Sequence, residues 1–291
     1  MYNKAKKSRS YCPLGVVSDA AGADLNVRPA FPVLTVTDMV ALKMNSPLGK
    51  ALLAAIRGGD YAHPGEEECI ERLWTGLPRV PTQSVLDAGC GRAGTAAYVQ
   101  RRGWGRVTGF DLDAESIAEA QATYPELQLF ASDVLAAPQI VGPIQPSGFN
   151  VIYLLSAFYA FPDQPAALRA LRALAHPGTR LALLDYTDAD GRFASSPPGA
   201  TRFQYWHPLR PPRLRDDLAD CGWRLDTVQD LGPEFKRWYA AFLQKIAARR
   251  AALDQRFGVE NVDFVHAYYA DLLDGIILGH IGGLLAYATA V

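Results

Sequence analysis

Residues 84–94, SVLDAGCGRAG, constrain the fold more than any other stretch. A short apolar run carries one acid, Asp87, and passes into Gly89, Gly91 and Gly94 ahead of a helical pattern, GTAAYVQRRG. Glycines between a strand and a helix allow a tight turn and let a ligand approach the backbone. The first turn of the helix offers unpaired N–H groups and a partial positive charge. The pattern then repeats: RVTGFDL, LQLFASD, FNVIYLL and RLALLDYTD read as further buried strands, with AESIAEAQATY and QPAALRALRALA as helices between them. Short apolar strands alternating with helices build a parallel sheet covered on both faces.

The rest of the chain divides around that core. Residues 1–35 lack a period and read as a loose tail, and 36–78 form an N-terminal helical lid, with helices over 36–58 and 65–76 either side of GGDYAHPG. The main domain spans 79–291, with an aromatic- and proline-rich connector at 190–212 and a helical insertion at 232–279. Within them RLRDDLADCG reads as a helix, WRLDTVQDL as a strand, 234–257 as one long helix and 262–277 as another. Phe235, Trp238, Tyr239, Phe242 and Ile246 fall at helical spacing along the long helix and read first as a core stripe. LLAYATAV is a final strand. The apolar run 272–291 is broken by Asp274, His280 and Gly282-Gly283, so it does not read as a membrane span.

Composition removes several function classes. With 29 basic against 30 acidic residues in 291, nothing calls for nucleic acid or an anionic membrane. Cys12, Cys69, Cys90 and Cys221 lie far apart with no CxxC pair, so neither a metal site nor a disulfide framework is expected, and reduced thiols fit a cytoplasmic protein.

Spacing alone leaves two ligands for the glycine loop. A nicotinamide cofactor would lay its pyrophosphate on the helix N-terminus with an acid about twenty residues on for the ribose, and Asp111 follows Gly91 at that distance. Asp87 argues against it, because a carboxylate at the strand end repels a pyrophosphate and suits an ammonium and a sulfonium, which S-adenosylmethionine carries. Asp133, after the third strand, can accept from the exocyclic amine of adenine, with the Val134 N–H donating to the ring.

Taken in order, VLDAGCGRAG, GFDLD, ASDV and FNVIYLLSAFYAFPD resemble the successive motifs of class I S-adenosylmethionine-dependent methyltransferases, over roughly residues 60–290. The resemblance implies a Rossmann-like seven-stranded sheet with helices on both faces, its last strand antiparallel between the fifth and sixth, and a helical lid. It implies S-adenosyl-L-methionine as cofactor and S-adenosyl-L-homocysteine as product. Gly89, Cys90 and Gly91 would line the cofactor loop, and Asp87 would order that loop and face the ammonium. Asp111 would hold the ribose and Leu112 would pack on adenine. Asp133 and Val134 would read the adenine edge, and Leu155 and Ser156 would line the methionine end. Many relatives have glycine at the position of Ala93; here the third glycine is Gly94. GGDYAHPGEEE and the C-terminal helix pair resemble, more narrowly, the sarcosine and dimethylglycine methyltransferase group.

The acceptor is expected to be a small molecule methylated at an amine or amino-acid-like nitrogen, otherwise at a hydroxyl. A cofactor-binding protein with non-methylating chemistry is the alternative, ahead of a nicotinamide oxidoreductase. Several relatives place a histidine soon after the fourth strand, whereas this chain has SAFYAFPD. Tyr159 and His63 are therefore the candidate bases, and an amine arriving deprotonated would need none. Tyr61, Phe158, Tyr186, Tyr205, Trp206, His207, Trp238 and Tyr239 are the candidates for the acceptor wall, where aromatic faces stabilise a methylated cation. The expected assembly is a monomer or homodimer.

Overall fold

The computed structural model describes residues 42, 44, 46–188, 190–191 and 206–291. The tail expected at 1–35 and the candidate Tyr205 lie outside the described residues, as does most of 36–46. Two helices come first, α1 (Pro47–Arg57) and α2 (Glu66–Leu73). Alternating elements follow: β1 (Ser84–Ala88), α3 (Gly94–Arg101), β2 (Arg106–Asp111), α4 (Ala114–Thr123), β3 (Gln128–Ala131), α5 (Ala137–Ile140), β4 (Phe149–Leu155), α6 (Gln164–Ala173) and β5 (Ala175–Thr187). The chain continues through α7 (Leu214–Ala219), β6 (Trp223–Asp230), α8 (Gly232–Ala248), α9 (Arg250–Phe257), α10 (Val259–Ile277) and β7 (Gly282–Ala290).

The seven strands make one sheet in the order β3-β2-β1-β4-β5-β7-β6. The pairs from β3 to β5 are parallel, and β7 runs antiparallel to both β5 and β6. Alternation along each strand sends Leu86, Ala88, Ile152, Leu154, Leu181, Leu183 and Ala286 into an apolar cluster with Leu168 and Leu171 of α6, Leu218 of α7 and Trp223. The opposite face carries Asp87 and Tyr153, which are direct register partners. Trp74, just after α2, packs edge-on to the Tyr153 ring at 5.2 Å and stacks with Trp104 at 5.3 Å.

Helix ends follow local chemistry. Ser46 Oγ accepts from the Gly49 N–H at 3.2 Å with Pro47 opening α1, and Gly58 closes it at φ 79°. Helix α1 therefore starts at Pro47, inside the span expected from 36. The helix expected over 234–257 is two helices: α8 stops at Ala248, and Arg249 turns its guanidinium onto the carbonyls of Ala55 and Ile56 at the end of α1 (3.0 and 3.1 Å). The glycine pair that breaks the apolar C-terminal run has a packing cause, since a Cβ on Gly283 would sit inside the Phe235 ring of α8.

Candidate active site

The carboxyl ends of β1, β2, β4 and β5 converge where ligands of such sheets bind. At β1 the glycine turn is tied to β2: the N–H groups of Gly89 and Cys90 both donate to the Phe110 carbonyl at 2.9 Å. The Gly91 N–H donates to Asp111 Oδ2 at 2.8 Å, and Asp111 Oδ1 accepts from the Asp113 N–H at 3.0 Å. Ordering of the loop, expected of Asp87, thus falls to Asp111. Asp87 is buried and accepts from the Tyr153 hydroxyl at 2.7 Å. Burial pushes its carboxyl up to about 7 against that hydrogen bond, with the charge of Asp111 adding to the rise.

Among the described residues, three that are not glycine adopt a left-handed φ: Glu66 (42°), Ala93 (61°) and Ser156 (51°). Each costs conformational energy, and such residues collect at functional sites. Ala93 caps α3 in a left-handed conformation that glycine would adopt without this cost. Gly94 meets a different demand, because a Cβ there would fall inside the Asp60 carbonyl oxygen. Asp60 in turn accepts from Arg92 Nε at 2.8 Å and from the Tyr124 hydroxyl at 3.0 Å, so the loop between α1 and α2 is fastened to the glycine loop.

These groups fit S-adenosylmethionine. A Cβ on Gly91 would meet nothing within 4 Å, leaving open space against the turn. Leu112 stands exposed beside Asp111, an apolar surface unused by the fold. Ser156 Oγ is buried with no hydrogen-bond partner. Asp133 is exposed and accepts from the Leu135 N–H at 2.7 Å, while Val134 is buried beneath it and Leu155 is buried at the end of β4.

The acceptor candidates separate into groups. Tyr159, Tyr186 and Trp206 form one aromatic cluster, with ring centroids 4.5–5.2 Å apart. The Tyr186 hydroxyl hydrogen-bonds that of Tyr239, which stacks on Tyr269 at 5.7 Å. Burial pushes the phenols of Tyr159, Tyr186, Tyr239 and Tyr269 upward, so all four stay protonated at neutral pH. As a neutral phenol Tyr159 is a donor, not a ready base. Asp185, buried at the end of β5, accepts from the backbone N–H groups of Tyr186 (2.8 Å) and Tyr159 (3.1 Å) and so fixes the β4–α6 loop. Burial raises its carboxyl to about 7.

Other candidates lie elsewhere. Phe158 packs into the apolar cluster under α6, edge-on to Phe161 at 5.7 Å. It lines a surface cleft of about 270 Å³ with Leu168 and Leu214 in place of the acceptor wall. His207 is exposed; its N–H donates to the Tyr159 carbonyl at 2.7 Å, bracing that loop through its backbone. Trp238 is buried against Gly65 and belongs to the core stripe. The Tyr61 hydroxyl donates to Glu67 at 3.3 Å at the exposed surface.

His63 is buried, with Nδ1 3.2 Å from the Pro64 carbonyl and Nε2 2.9 Å from Thr95 Oγ1 in the first turn of α3. A carbonyl only accepts, so the proton sits on Nδ1 and Nε2 accepts from Thr95. Burial lowers the imidazole to about 3. The ring is neutral with both nitrogens engaged, which leaves no lone pair for a substrate proton; its contacts pin the loop between α1 and α2 to α3.

Sequence reasoning missed Arg57, Asp60, Tyr153, Asp185 and Tyr269. Arg57 lies in a stretch with no motif, and Asp60 stands inside GGDYAHPGEEE with nothing in the stretch to single it out. The two partners Tyr153 and Asp185 are hidden inside apolar strand runs.

The sheet order, the glycine turn and the acid-lined carboxyl edge together define a class I S-adenosylmethionine-dependent methyltransferase. Residues 61–224, more than half of the chain, match a family model described as a methyltransferase domain, and the chain belongs to that family. The trans-aconitate 2-methyltransferase of Escherichia coli is 26% identical over 183 residues, covering 61% of this chain and 68% of that one. A structure described as a sarcosine dimethylglycine methyltransferase from Galdieria sulphuraria superposes with TM-score 0.72 at 14% identity, covering 85% of this chain and 98% of that one. Phosphoethanolamine N-methyltransferase 2 of Haemonchus contortus, in complex with S-adenosyl-L-methionine, superposes with TM-score 0.76 at 16% identity, covering 89% of this chain and 60% of that one. Among the described residues no helix is long and apolar enough to cross a membrane.

Proposed function

We propose that the chain transfers the methyl group of S-adenosyl-L-methionine to a small-molecule acceptor at an amine or amino-acid-like nitrogen, otherwise at a hydroxyl. The observation that carries this reading is the placement of the tyrosine and tryptophan cluster. Tyr159 follows β4 and Tyr186 is the next-to-last residue of β5, both at the carboxyl edge of the sheet within one strand or two of the glycine turn. The bound cofactor supplies an activated methyl on a sulfonium, so alignment and exclusion of water do most of what remains.

In this reading Gly89, Cys90 and Gly91 give backbone to the methionine part. Asp87 meets the ammonium, Asp111 holds the ribose hydroxyls, and Leu112, Asp133 and Val134 receive adenine. Ser156 Oγ, buried without a partner, takes a polar group at the methionine end. Tyr159, Tyr186, Trp206 and Tyr239 wall the acceptor and offer neutral hydroxyls and ring faces to it. No histidine serves as base, so an acceptor nitrogen enters deprotonated.

Calorimetry with S-adenosylhomocysteine and with NAD tests the cofactor half; incubation with labelled S-adenosylmethionine and a metabolite pool tests the transfer. Binding of S-adenosylhomocysteine without NAD binding, and label appearing in a small molecule, is the expected result. NAD binding in place of S-adenosylhomocysteine refutes it.

A further inference from the structure

Arg57, the last residue of α1, is the least satisfied charge in the lid. Its side chain is 1% exposed. Nη1 donates to Glu66 Oε1 at 3.1 Å, while Nε and Nη2 are buried with no hydrogen-bond partner. A buried donor left unmade is expensive, and a guanidinium more so. The guanidinium carbon lies over the Phe242 ring at 4.4 Å and 6.0 Å from the Tyr269 ring, whose phenol also lies within the reach of its charge.

The electrostatics point the same way. Glu66 is shared: its Oε2 also pairs with Lys245 Nζ at 2.8 Å. Lys245 reaches solvent, so the one carboxylate is divided and the buried Arg57 charge is only partly neutralised. Glu66 reaches this position with a left-handed backbone, so the arrangement is held at a conformational cost. The charge of Arg57 also reaches Tyr269, Tyr239, Tyr186 and His63, the last being neutral. Tyr186 and Tyr239 belong to the proposed acceptor wall, and Arg57 directly precedes the loop that Asp60 fastens to the glycine turn.

Nε and Nη2 form the side edge of the guanidinium, the edge that takes the two oxygens of a carboxylate in parallel. We infer that Arg57 is a specificity-determining residue: it receives a carboxylate of the acceptor, with Tyr239 and Tyr269 around it, and so restricts this enzyme to acceptors bearing that group. The inference rests on the methyl-transfer reading. It makes the acceptor a small amino acid or carboxylic acid in place of a simple amine.

Binding of small probes to protein saturated with S-adenosylhomocysteine tests it, read by calorimetry: malonate and sarcosine as carboxylates, malonamide as the uncharged counterpart, inorganic phosphate as the competing oxyanion. A carboxylate probe is expected to bind where malonamide does not. Arg57→Gln should weaken that binding roughly tenfold or more, as loss of a charged hydrogen-bonding pair does, and Arg57→Lys should restore part of it. Glu66→Gln, which removes the competing internal carboxylate, should tighten it, and this variant decides the matter if Arg57→Gln fails to fold. Silence of every carboxylate probe, equal affinity in Arg57→Gln, unchanged affinity in Glu66→Gln, or tighter binding of phosphate than of carboxylates overturns the assignment while methyl transfer stands. Failure of S-adenosylhomocysteine itself to bind removes the methyl-transfer reading, and this inference with it.

Discussion

Asp87→Asn should stabilise the protein without cofactor and at the same time weaken its hold on S-adenosylhomocysteine. Asp87 is 3% exposed, and one hydrogen bond from Tyr153 does not offset its burial, so its carboxyl rises from 3.8 to about 7. The folded state therefore keeps this proton longer than the unfolded chain does. As pH rises from about 4 to about 7 the unfolded chain releases first, and stability falls through that window and then levels. At about 1.4 kcal/mol per pH unit the loss is about 4 kcal/mol at neutral pH. Asparagine has no such proton and keeps an oxygen for the Tyr153 hydroxyl, but its buried NH₂ costs about 1–3 kcal/mol unpaired. The net gain at pH 8 is then about 1–3 kcal/mol, a rise in Tm of several degrees at about 2–4 °C per kcal/mol for a domain of this size. Asp185 is raised in the same way and contributes a parallel loss in both proteins, so the difference between them isolates Asp87. Thermal melting of both proteins from pH 4 to pH 8, with calorimetry of S-adenosylhomocysteine at each pH, reads the two effects. The variant should gain on the wild type as pH rises, and wild-type affinity for the ammonium-bearing ligand should increase over the same window. A variant equally or less stable at every pH, with unchanged affinity, would refute the reasoning.

Gly94→Ala forces a methyl group into the Asp60 carbonyl and should cost about 1–3 kcal/mol of stability together with a large loss of turnover, because the loop between α1 and α2 must back away from the glycine turn; melting and rate measurements check both. Asp111→Ala frees the Gly91 N–H and removes the expected ribose acceptor, so cofactor affinity should fall by about 1.5–3 kcal/mol in a protein that still folds, as calorimetry would read. For His63 the sign is opposite to that of Asp87: its imidazole is held at about 3 against 6.5 in the unfolded chain, so stability is lost as pH falls below 6.5. His63→Gln should flatten that acid loss and leave no step near pH 6.5 missing from the rate profile. Tyr287→Phe deletes a hydroxyl that donates to the Leu73 carbonyl at 2.8 Å and accepts from the Gly76 N–H at 3.0 Å, and should cost about 1–3 kcal/mol in chemical unfolding.

What the sequence revealed and what it hid divide along the reach of the interactions. SVLDA was readable as β1 because a buried parallel strand is a short apolar run, and Gly89 and Gly91 because a turn under a ligand demands bare backbone. The break at Arg249 was not readable: the stripe from Phe235 to Ile246 continues in period, and what ends α8 is a guanidinium claimed by carbonyls of α1, nearly two hundred positions earlier. The strand read at RLALLDYTD begins earlier than expected: HPG at 176–178 belongs to β5, where a register shift beside Phe149 and Val151 absorbs it. Phe158, expected in the acceptor wall, and Tyr159, expected as a base, both read as facing the acceptor, and only the path of the chain after β4 sends one under α6 and the other toward Tyr186. His63 carried a polar side chain in a glycine-rich loop, which suggested access to substrate; Thr95, its partner, has no spacing that announces it. Arg57 was one basic residue among 29, and its meaning comes wholly from the donors it fails to satisfy.

The position of β7 in the sheet carries a consequence for how the molecule is made. β6 has a single neighbour, β7, which follows it only after α8, α9 and α10. A chain emerging from its N-terminus can pair β1 to β5 as they appear, but β6 must wait with both backbone edges open while three helices are synthesised. An unpaired strand of this kind is a site for mispairing between chains. β6 meets the wait with Arg224, Asp226, Gln229 and Asp230 spread along its eight residues, polar groups that keep it in water until β7 arrives to seal it to the sheet.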